Sequence, residues 1–272
     1  MRPDSIMPGA DFGKTAADYA AHRAGPPDSL FERLAAHGIG LPGQRIWDLG
    51  SGTGALARPL AARGARVVSS DISLPMLRTG VTLARQGSGI VEPVLASAEQ
   101  IPVRAGALDV ITASQCWHWF DRPRTATECF RVLRHGGQVA ITHFDWIPRP
   151  GNVVEASEAL ILAHNPQWGG AGGVGQHPHI AGDVAAAGFR DIEIFAFDVE
   201  VPYTHEGWRG RIRASAGVGG FLPPEEVARF DAEHAAMLAE RFPEDPLRAL
   251  HRVWTLVAQK PPASDRSGGT RR

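Results

Sequence analysis

The sequence predicts an α/β protein with a doubly wound, mostly parallel sheet. Short apolar strand patterns alternate with helical patterns along most of the chain, an order typical of βαβ units. We interpret the run from Val67 to Asp71 as a parallel strand that helices cover on both sides. A glycine-rich turn follows the first strand pattern, which is a further feature of open α/β sheets.

That turn is the strongest local signal in the chain. An apolar strand pattern runs from Ile46 to Leu49, three glycines follow at positions 50, 52 and 54, and a helical pattern comes next. Glycine permits positive φ angles and lets a ligand approach bare main chain. The N-terminus of the next helix attracts anionic or polar ligand groups. Dinucleotide-binding turns have glycine or alanine where Ala55 stands, so the turn alone leaves the ligand open.

Two acidic residues narrow the choice of ligand. Asp48 lies just before the glycines, and Asp71 lies 19 residues beyond Gly52, at the end of the second predicted strand. A carboxylate at that point accepts hydrogen bonds from ribose hydroxyls. Together the two acids suit a ligand that contains an adenosine and a free ammonium group.

Four segments resemble the class I S-adenosylmethionine-dependent methyltransferases. They are DLGSGTG, SSDIS with Asp71, ASAEQIPVRAGALDVITASQCWHWF and RVLRHGGQVAI, in the family's order. The resemblance covers roughly residues 12–145 well and 180–260 loosely, and is closest to the small-molecule branch that includes trans-aconitate and quinone-pathway C-methyltransferases. It implies a seven-stranded sheet whose last strand is antiparallel and lies between strands five and six. It also implies S-adenosyl-L-methionine as the cofactor.

The resemblance assigns a set of candidate cofactor residues. A leading helix would place Tyr19 and Arg23 near the methionine carboxylate, although a surface helix is an equal alternative. The full set is Tyr19, Arg23, Asp48, Gly50, Ser51, Gly52, Gly54, Asp71, Ile72, Ser97, Ala98, Glu99 and Ser114. Two positions depart from the family pattern, since Ser97 replaces the usual aspartate near adenine and His135 replaces a proline before Gly136-Gly137.

Two histidines are candidate catalytic residues. His118 follows the fourth predicted strand, and His143 lies near the end of the fifth. An imidazole accepts a proton near neutral pH, which suits an acceptor hydroxyl or amine. A carboxylate acceptor needs no base, and in that case either histidine would only line the wall of the acceptor site. Most of the aromatic residues around His118 are expected to plug the sheet.

The remaining elements follow from helix caps, glycines and prolines. Predicted helices span 12–23, 30–37, 123–134, 153–164, 180–187 and 223–241, with others after the glycine turn and after Ser73; predicted strands span 46–49, 67–71, 92–95, 108–113, 139–144, 189–201 and 253–258. Asp28 or Ser29 is expected to cap the second helix and Asp121 the helix from Pro123. The glycine-rich segment 169–175 is expected to form a mobile cover or an ordinary loop.

Length and composition predict the domain organisation and disfavour some classes of binding partner. The chain has 272 residues and a net charge of −1. We expect a disordered 1–11, one domain over 12–260 with partly helical cap insertions at about 145–180 and 202–248, and a disordered tail over 261–272. Near-zero charge disfavours nucleic acid and anionic membranes. Two cysteines and the lack of a membrane-spanning run predict a cytoplasmic protein without membrane insertion. His177 and His179 lack a third ligand, so no metal site is predicted.

The predicted function is transfer of a methyl group from S-adenosylmethionine to a small-molecule acceptor. Three alternatives stay open: a macromolecular substrate, an NAD-dependent oxidoreductase, and an S-adenosylmethionine-binding protein of this fold with a different role. The sequence does not identify the acceptor, the methylated atom or the oligomeric state.

Overall fold

The computed structural model describes residues 24–87 and 89–263. In this part of the chain, seven strands form one sheet in the order β3-β2-β1-β4-β5-β7-β6. The strands are β1 (Arg45–Leu49), β2 (Arg66–Asp71), β3 (Val91–Leu95), β4 (Leu108–Ser114), β5 (Leu133–Trp146), β6 (Arg190–Tyr203) and β7 (Leu247–Gln259).

Strand direction agrees with the predicted fold. Each neighbouring pair among the first five strands is parallel. β7 runs antiparallel to β5, because the N–H of Gly136 donates to the carbonyl of Lys260 and the N–H of Ile147 donates to the carbonyl of Leu250. The predicted mostly parallel seven-stranded sheet, with the last strand between β5 and β6, is therefore confirmed.

Helices alternate with the strands, as in other α/β folds. They are α1 (Asp28–Ala36), α2 (Ala57–Ala62), α3 (Leu74–Ala84), α4 (Arg122–Val132), α5 (Val153–His164), α6 (His179–Ala186), α7 (His205–Arg213) and α8 (Pro224–Arg241), with a 3₁₀ turn at Trp117–Trp119. Asp121 caps α4 as predicted, by accepting the N–H of Arg124. None of the helices in the two described ranges has the length and apolar character needed to cross a membrane.

Two local predictions were wrong, and one helix was missed. Asp28 begins α1 instead of capping it, since Pro27 precedes the helix. Gly136 and Gly137 do not turn into β5 but lie inside it, because both glycines exchange backbone hydrogen bonds with Lys260. Helix α7 was not predicted, since Gly207 and Gly210 weaken its helical pattern.

The described chain divides into two compact units. The sheet unit contains residues 27–142, 177–195 and 255–263, and the helical unit contains residues 24–26, 143–176 and 196–254. The helical unit takes in nearly all of both segments that the sequence analysis treats as cap insertions. A single domain with a cap stays a prediction.

In the sheet unit, β1 has the burial expected of a central parallel strand. Only Arg45 at its start is exposed, and the next four residues are buried on both faces. Strand β3, at the edge of the sheet, has no buried residue. The centre of the sheet is therefore the apolar core of this unit, and it provides a rigid base for the loops that follow β1 and β4.

The helical unit has an apolar core of its own with one buried polar network. The core residues are Val153, Val154, Ile161, Tyr203, Trp208, Ile212, Val218, Phe230, Leu238, Leu247 and Ala249. The Ser157 hydroxyl donates to the Val153 carbonyl at 2.7 Å and accepts the Trp208 indole N–H at 2.9 Å. His234 Nε2 lies 3.0 Å from the same hydroxyl oxygen. Because the hydroxyl has only one hydrogen, Nε2 must be the donor, and this defines the tautomer of His234.

The glycine-rich segment 169–175 is attached within the helical unit. Gly172 N–H donates to Glu158 Oε2 at 2.8 Å, and the other Glu158 oxygen accepts the indole N–H of Trp146 at 2.8 Å. Arg252 donates to the carbonyl of Val174 at 2.9 Å. Burial raises the pKa of Glu158 above its ordinary value. Whether the segment moves as a cover stays a prediction.

His234 is expected to make stability depend on pH. Burial lowers the pKa of His234 to about 4, whereas an unfolded chain protonates histidine below about 6.5. Between these values unfolding takes up a proton, so the free energy of unfolding rises with pH by up to about 1.4 kcal/mol per pH unit. Urea titrations at about pH 5 and about pH 6 should show this rise in the wild type and its loss in His234→Gln.

The matched control is His135→Gln, which removes an exposed histidine that contacts the carbonyl of Pro261. This variant should keep the pH dependence of the wild type. An equal difference between wild type and His234→Gln at both pH values would contradict a buried neutral histidine.

Candidate functional site

The loop between β1 and α2 has the conformation that its glycines predict. Gly50, Gly52 and Gly54 have φ angles of 53°, 55° and 78°, which favour glycine over other residues. The N–H of Ser51 donates to the carbonyl of Ser70 in β2 at 2.9 Å. The glycine loop, residues 50–56, is therefore fixed to the neighbouring strand.

Asp71 lies at the end of β2 and binds the glycine loop directly. Its Oδ2 accepts the N–H of Gly52 at 2.8 Å, and its Oδ1 accepts the N–H of Ser73 at 2.8 Å. Each oxygen keeps a lone pair for another donor. Ile72, the next residue, is 79% exposed and offers an apolar surface beside this carboxylate.

Asp48 lies in β1 and is 1% exposed. The hydroxyl of Thr112 donates to its Oδ1 at 2.6 Å. Burial raises the pKa of Asp48 to about 7; the nearby Asp71 adds to this rise, and the Thr112 hydrogen bond opposes it. The Asp48 carboxylate is therefore buried and hydrogen-bonded to a neighbouring strand.

Ser97, Ala98 and Glu99 form the turn after β3. Glu99 accepts hydrogen bonds from the Ser97 hydroxyl and, at 2.9 Å, from the N–H of Asp121. Burial alone would raise the pKa of Glu99, but these hydrogen bonds bring it below its ordinary value. Ala98 is buried. The Glu99 carboxylate therefore ties this turn to the start of α4.

Ser114 ends β4, and residues 115–120 form an aromatic segment after it. Gln115 has a φ of 61°, an unusual conformation for a residue other than glycine. Trp117 is fully buried and donates its indole N–H to Asp183 of α6 at 3.0 Å. Trp119 is 41% exposed. The segment is anchored at Trp117 and more open at Trp119.

The two candidate bases differ in exposure. His118 is half-buried in the sheet unit, with its ring centroid 5.1 Å from that of Trp119. His143 is 2% exposed in the helical unit, with its ring 6.2 Å from that of Trp254. The candidate cofactor residues Tyr19 and Arg23 lie outside the described residues.

The sheet order brings the other candidate residues to one edge. β1 lies between β2 and β4, so the chain continues from β1 to one side and later returns on the other. Ligands of open α/β sheets bind outside the carboxyl ends of strands at such a switch point. Gly50 and Ser51 follow β1, Asp71 ends β2, and Ser114 ends β4.

Part of the chain matches a known protein family. Residues 47–141 match the family model for a methyltransferase domain. The matched segment, called the matched methyltransferase domain below, extends from Trp47 in β1 to Ile141 in β5, and so includes the glycine loop, Asp71 and the aromatic segment.

Two curated relatives match part of the chain. An uncharacterized methyltransferase of Mycobacterium bovis is 33% identical over 150 residues, which are 55% of this chain and 58% of that protein. A malonyl-(acyl-carrier protein) O-methyltransferase of Serratia marcescens is 34% identical over 129 residues, which are 47% of this chain and 49% of that protein. The chain thus spans about half to three fifths of the length of these relatives.

A solved structure shows the shared fold. Phosphoethanolamine N-methyltransferase 2 of Haemonchus contortus, in complex with phosphomonomethylethanolamine and S-adenosylhomocysteine, covers 94% of this chain and 61% of its own. The TM-score is 0.56 at 19% identity. The likeness supports the Rossmann-like architecture of the matched methyltransferase domain.

Several residues that shape the matched methyltransferase domain were missed by sequence reasoning. Thr112 pairs in register with Asp48 across β1 and β4, but in the sequence it is only one polar residue in an apolar strand. Asp183 comes from α6, 66 residues beyond the tryptophan that it anchors. Neither position carries a local signal, because strand register and helix packing are set by distant parts of the chain.

Gly50 has a packing role that was also missed. A Cβ atom at Gly50 would lie 2.8 Å from Cys116 Cβ and 2.9 Å from Phe120 Cζ. The aromatic segment therefore occupies the space beside this glycine. By contrast, a Cβ atom at Gly52 would meet only the flexible end of Met76, at 3.1 Å.

We expect Gly50→Ala to destabilise the matched methyltransferase domain. Gly43→Ala is the matched control, since Gly43 has a φ of +80° and a Cβ atom there would meet nothing within 4 Å, whereas Gly50 has a φ of +53° and two close neighbours. Both variants carry backbone strain, so their difference isolates the clash. Thermal or urea unfolding should show a loss about 1 to 3 kcal/mol larger for Gly50→Ala. Equal losses would mean that Cys116 and Phe120 do not restrict this position.

Proposed function

We propose that this protein is an S-adenosylmethionine-dependent methyltransferase that acts on a small-molecule acceptor. One observation carries the proposal: within a matched methyltransferase domain, the glycine loop, the Asp71 carboxylate and exposed Ile72 lie together at the sheet's switch point. That edge is the usual ligand site of open α/β sheets.

The residues at this edge fit the cofactor. Asp71 retains lone pairs for ribose hydroxyls after binding the N–H groups of Gly52 and Ser73. Ile72 supplies an apolar surface for adenine. The main chain at Gly52 is bare except for the end of Met76, so a ligand can lie close to it. The relative from Haemonchus contortus, which binds S-adenosylhomocysteine, supports the same choice of cofactor.

The proposed reaction is an in-line displacement at the methyl group. Bound S-adenosylmethionine supplies that methyl on a positively charged sulfur. The protein has to hold the acceptor in line and exclude water, which accounts for much of the acceleration in reactions of this type. Residues Trp119 and Phe120 offer aromatic surface after β4, and aromatic faces stabilise nearby cations.

The acceptor is proposed to be recognised by residues outside the matched methyltransferase domain. The family match ends at residue 141, and most of the helical unit, residues 143–176 and 196–254, lies beyond it in the chain. A net charge of −1 gives no broad attraction to polyanions, which supports a small acceptor over a nucleic acid.

A second candidate is an acceptor carried on a protein. The name of the Serratia marcescens relative, which is 34% identical over 129 residues, states that it methylates malonyl groups on a carrier protein. A panel of free metabolites and carrier-bound acyl groups, each scored by S-adenosylhomocysteine release, separates the two candidates. A protein that binds the cofactor and turns over neither class would instead support a role without methyl transfer.

Asp71→Asn should weaken cofactor binding. We expect calorimetry with S-adenosylhomocysteine to show a loss of about 1 to 3 kcal/mol in binding free energy, because charge-assisted hydrogen bonds to ribose are lost. Asp28→Asn is the control, since Asp28 is an exposed acid that pairs with Arg63. Its affinity should equal that of the wild type.

Unchanged affinity in Asp71→Asn would remove Asp71 from the cofactor site. The same titration with NAD tests the dinucleotide alternative. Stronger binding of NAD than of S-adenosylhomocysteine by the wild type would overturn the proposed function.

His118→Gln tests the proposed base. If His118 accepts the acceptor's proton, the variant should lose about 10² to 10⁴ in turnover while S-adenosylhomocysteine affinity holds. His143→Gln tests the competing candidate, whose burial favours a wall role. The matched control is His135→Gln, on the exposed segment before β5's glycines. Turnover within a few-fold of wild type in His118→Gln would assign the reaction to positioning alone.

A further inference from the structure

Helix α3 and the glycine loop are connected at the start of the helix. Asp71 accepts the N–H of Ser73, which precedes the helix, and the N–H of Gly52 in the loop, both at 2.8 Å. Met76 follows three residues after Ser73, and its Cε would lie 3.1 Å from a Cβ atom at Gly52. Gly80 comes four residues after Met76. Because residues three and four apart share a helix face, these positions lie on one side of α3.

Gly80 lets α3 approach the main chain of the loop. A Cβ atom at position 80 would lie 3.2 Å from the carbonyl carbon of Thr53 and 3.4 Å from the carbonyl oxygen of Gly52. Nonbonded carbon atoms attract each other best at about 3.5 to 4.0 Å. Even one methyl group at this position would therefore push against the loop backbone.

The conformation of Gly80 does not account for a glycine at this position. Gly80 lies inside α3, and its φ angle is not positive. Within a helix, glycine is less stable than alanine because it loses more conformational freedom on folding. The advantage of glycine here is therefore the space that it leaves for the loop.

The loop has little freedom to move away from α3. Thr53 is 5% exposed, and its carbonyl accepts a hydrogen bond from Arg58 Nε at 3.2 Å. The preceding residue, Gly52, is held through its N–H by Asp71. A side chain at position 80 would have to displace a backbone that these contacts fix.

We propose that Gly80 is a positioning residue for cofactor binding, because its missing side chain lets the backbone of Gly52 and Thr53 take the position that the cofactor requires. The inference rests on the proposed function. An added methyl group would make the loop backbone shift by a few tenths of an ångström. This shift matters because binding groups have to be held within about 0.5 Å of their productive geometry.

Gly80→Ala tests this role. Calorimetry should show that the variant binds S-adenosylhomocysteine about 10-fold more weakly than the wild type, with the same number of sites per chain. Affinity equal to that of the wild type would overturn the inference.

Gly182→Ala is the matched control. Gly182 also lies inside a helix, α6, but a Cβ atom there would meet nothing within 4 Å. This variant should keep wild-type affinity and have a higher melting temperature, because alanine favours the helix. An equal loss of affinity in both variants would show that the loss does not come from the loop contact.

Arg58→Met gives a background in which the loop can move more easily. Methionine keeps an apolar stem but does not donate to the Thr53 carbonyl. Since the effects of contacting residues are coupled, Gly80→Ala should weaken binding less in this background than in the wild type. Equal losses in the two backgrounds would contradict an action through Thr53. Failure of Gly80→Ala to fold in either background would assign the contact to folding alone and would overturn the inference.

Hydrogen exchange at the Gly52 N–H separates a positioning role from a general loss of stability. Displacement of the loop weakens the hydrogen bond from this N–H to Asp71, so NMR should detect faster exchange in Gly80→Ala than in Gly182→Ala while exchange along α3 stays as in the wild type. Faster exchange throughout α3, with the Gly52 N–H unchanged, would contradict the proposed role. A wild type that does not bind S-adenosylhomocysteine would contradict the proposed function itself, an outcome distinct from a loss confined to Gly80→Ala.

Discussion

The Asp71 carboxylate at the end of β2 holds the glycine loop, and the candidate site depends on this contact. Asp71 in β2 accepts the N–H of Gly52, while Asp48 in β1 accepts the hydroxyl of Thr112. Glycine loses more conformational freedom on folding than any other residue, so a loop with three glycines needs external contacts to remain fixed. The two acids also repel each other, which contributes to the raised pKa of Asp48. A positively charged ligand at this edge would offset that repulsion.

The sequence could predict the parts of this arrangement that are close in the chain. The strand before the loop, the glycines with positive φ and the acid at the end of β2 all lie within about 25 residues. Glycine and acid at these positions have direct physical roles that pattern reasoning recognises. Ile72 was also predicted as a ligand-facing residue, and its 79% exposure is consistent with that assignment.

Contacts between distant segments could not be predicted in the same way. Gly136 and Gly137 have the sequence of a turn, yet they lie in β5 because the backbone of Lys260, which is distant in sequence, forms hydrogen bonds with them. Gly50 also has a packing role that the sequence did not indicate, because its missing side chain leaves room for Cys116 and Phe120. In both cases the deciding partner lies more than 60 residues away, and local propensity carries no information about it.

The core of the helical unit contains a buried polar network. The Ser157 hydroxyl donates to the Val153 carbonyl and accepts hydrogen bonds from Trp208 and His234. A buried network of this kind is sensitive to loss of any member, because each donor left without an acceptor is costly. Residues outside the network are less constrained, since most surface changes alter stability by only about 0.5 kcal/mol. Changes on the surface of this unit are therefore tolerated more easily than changes within the Ser157 network.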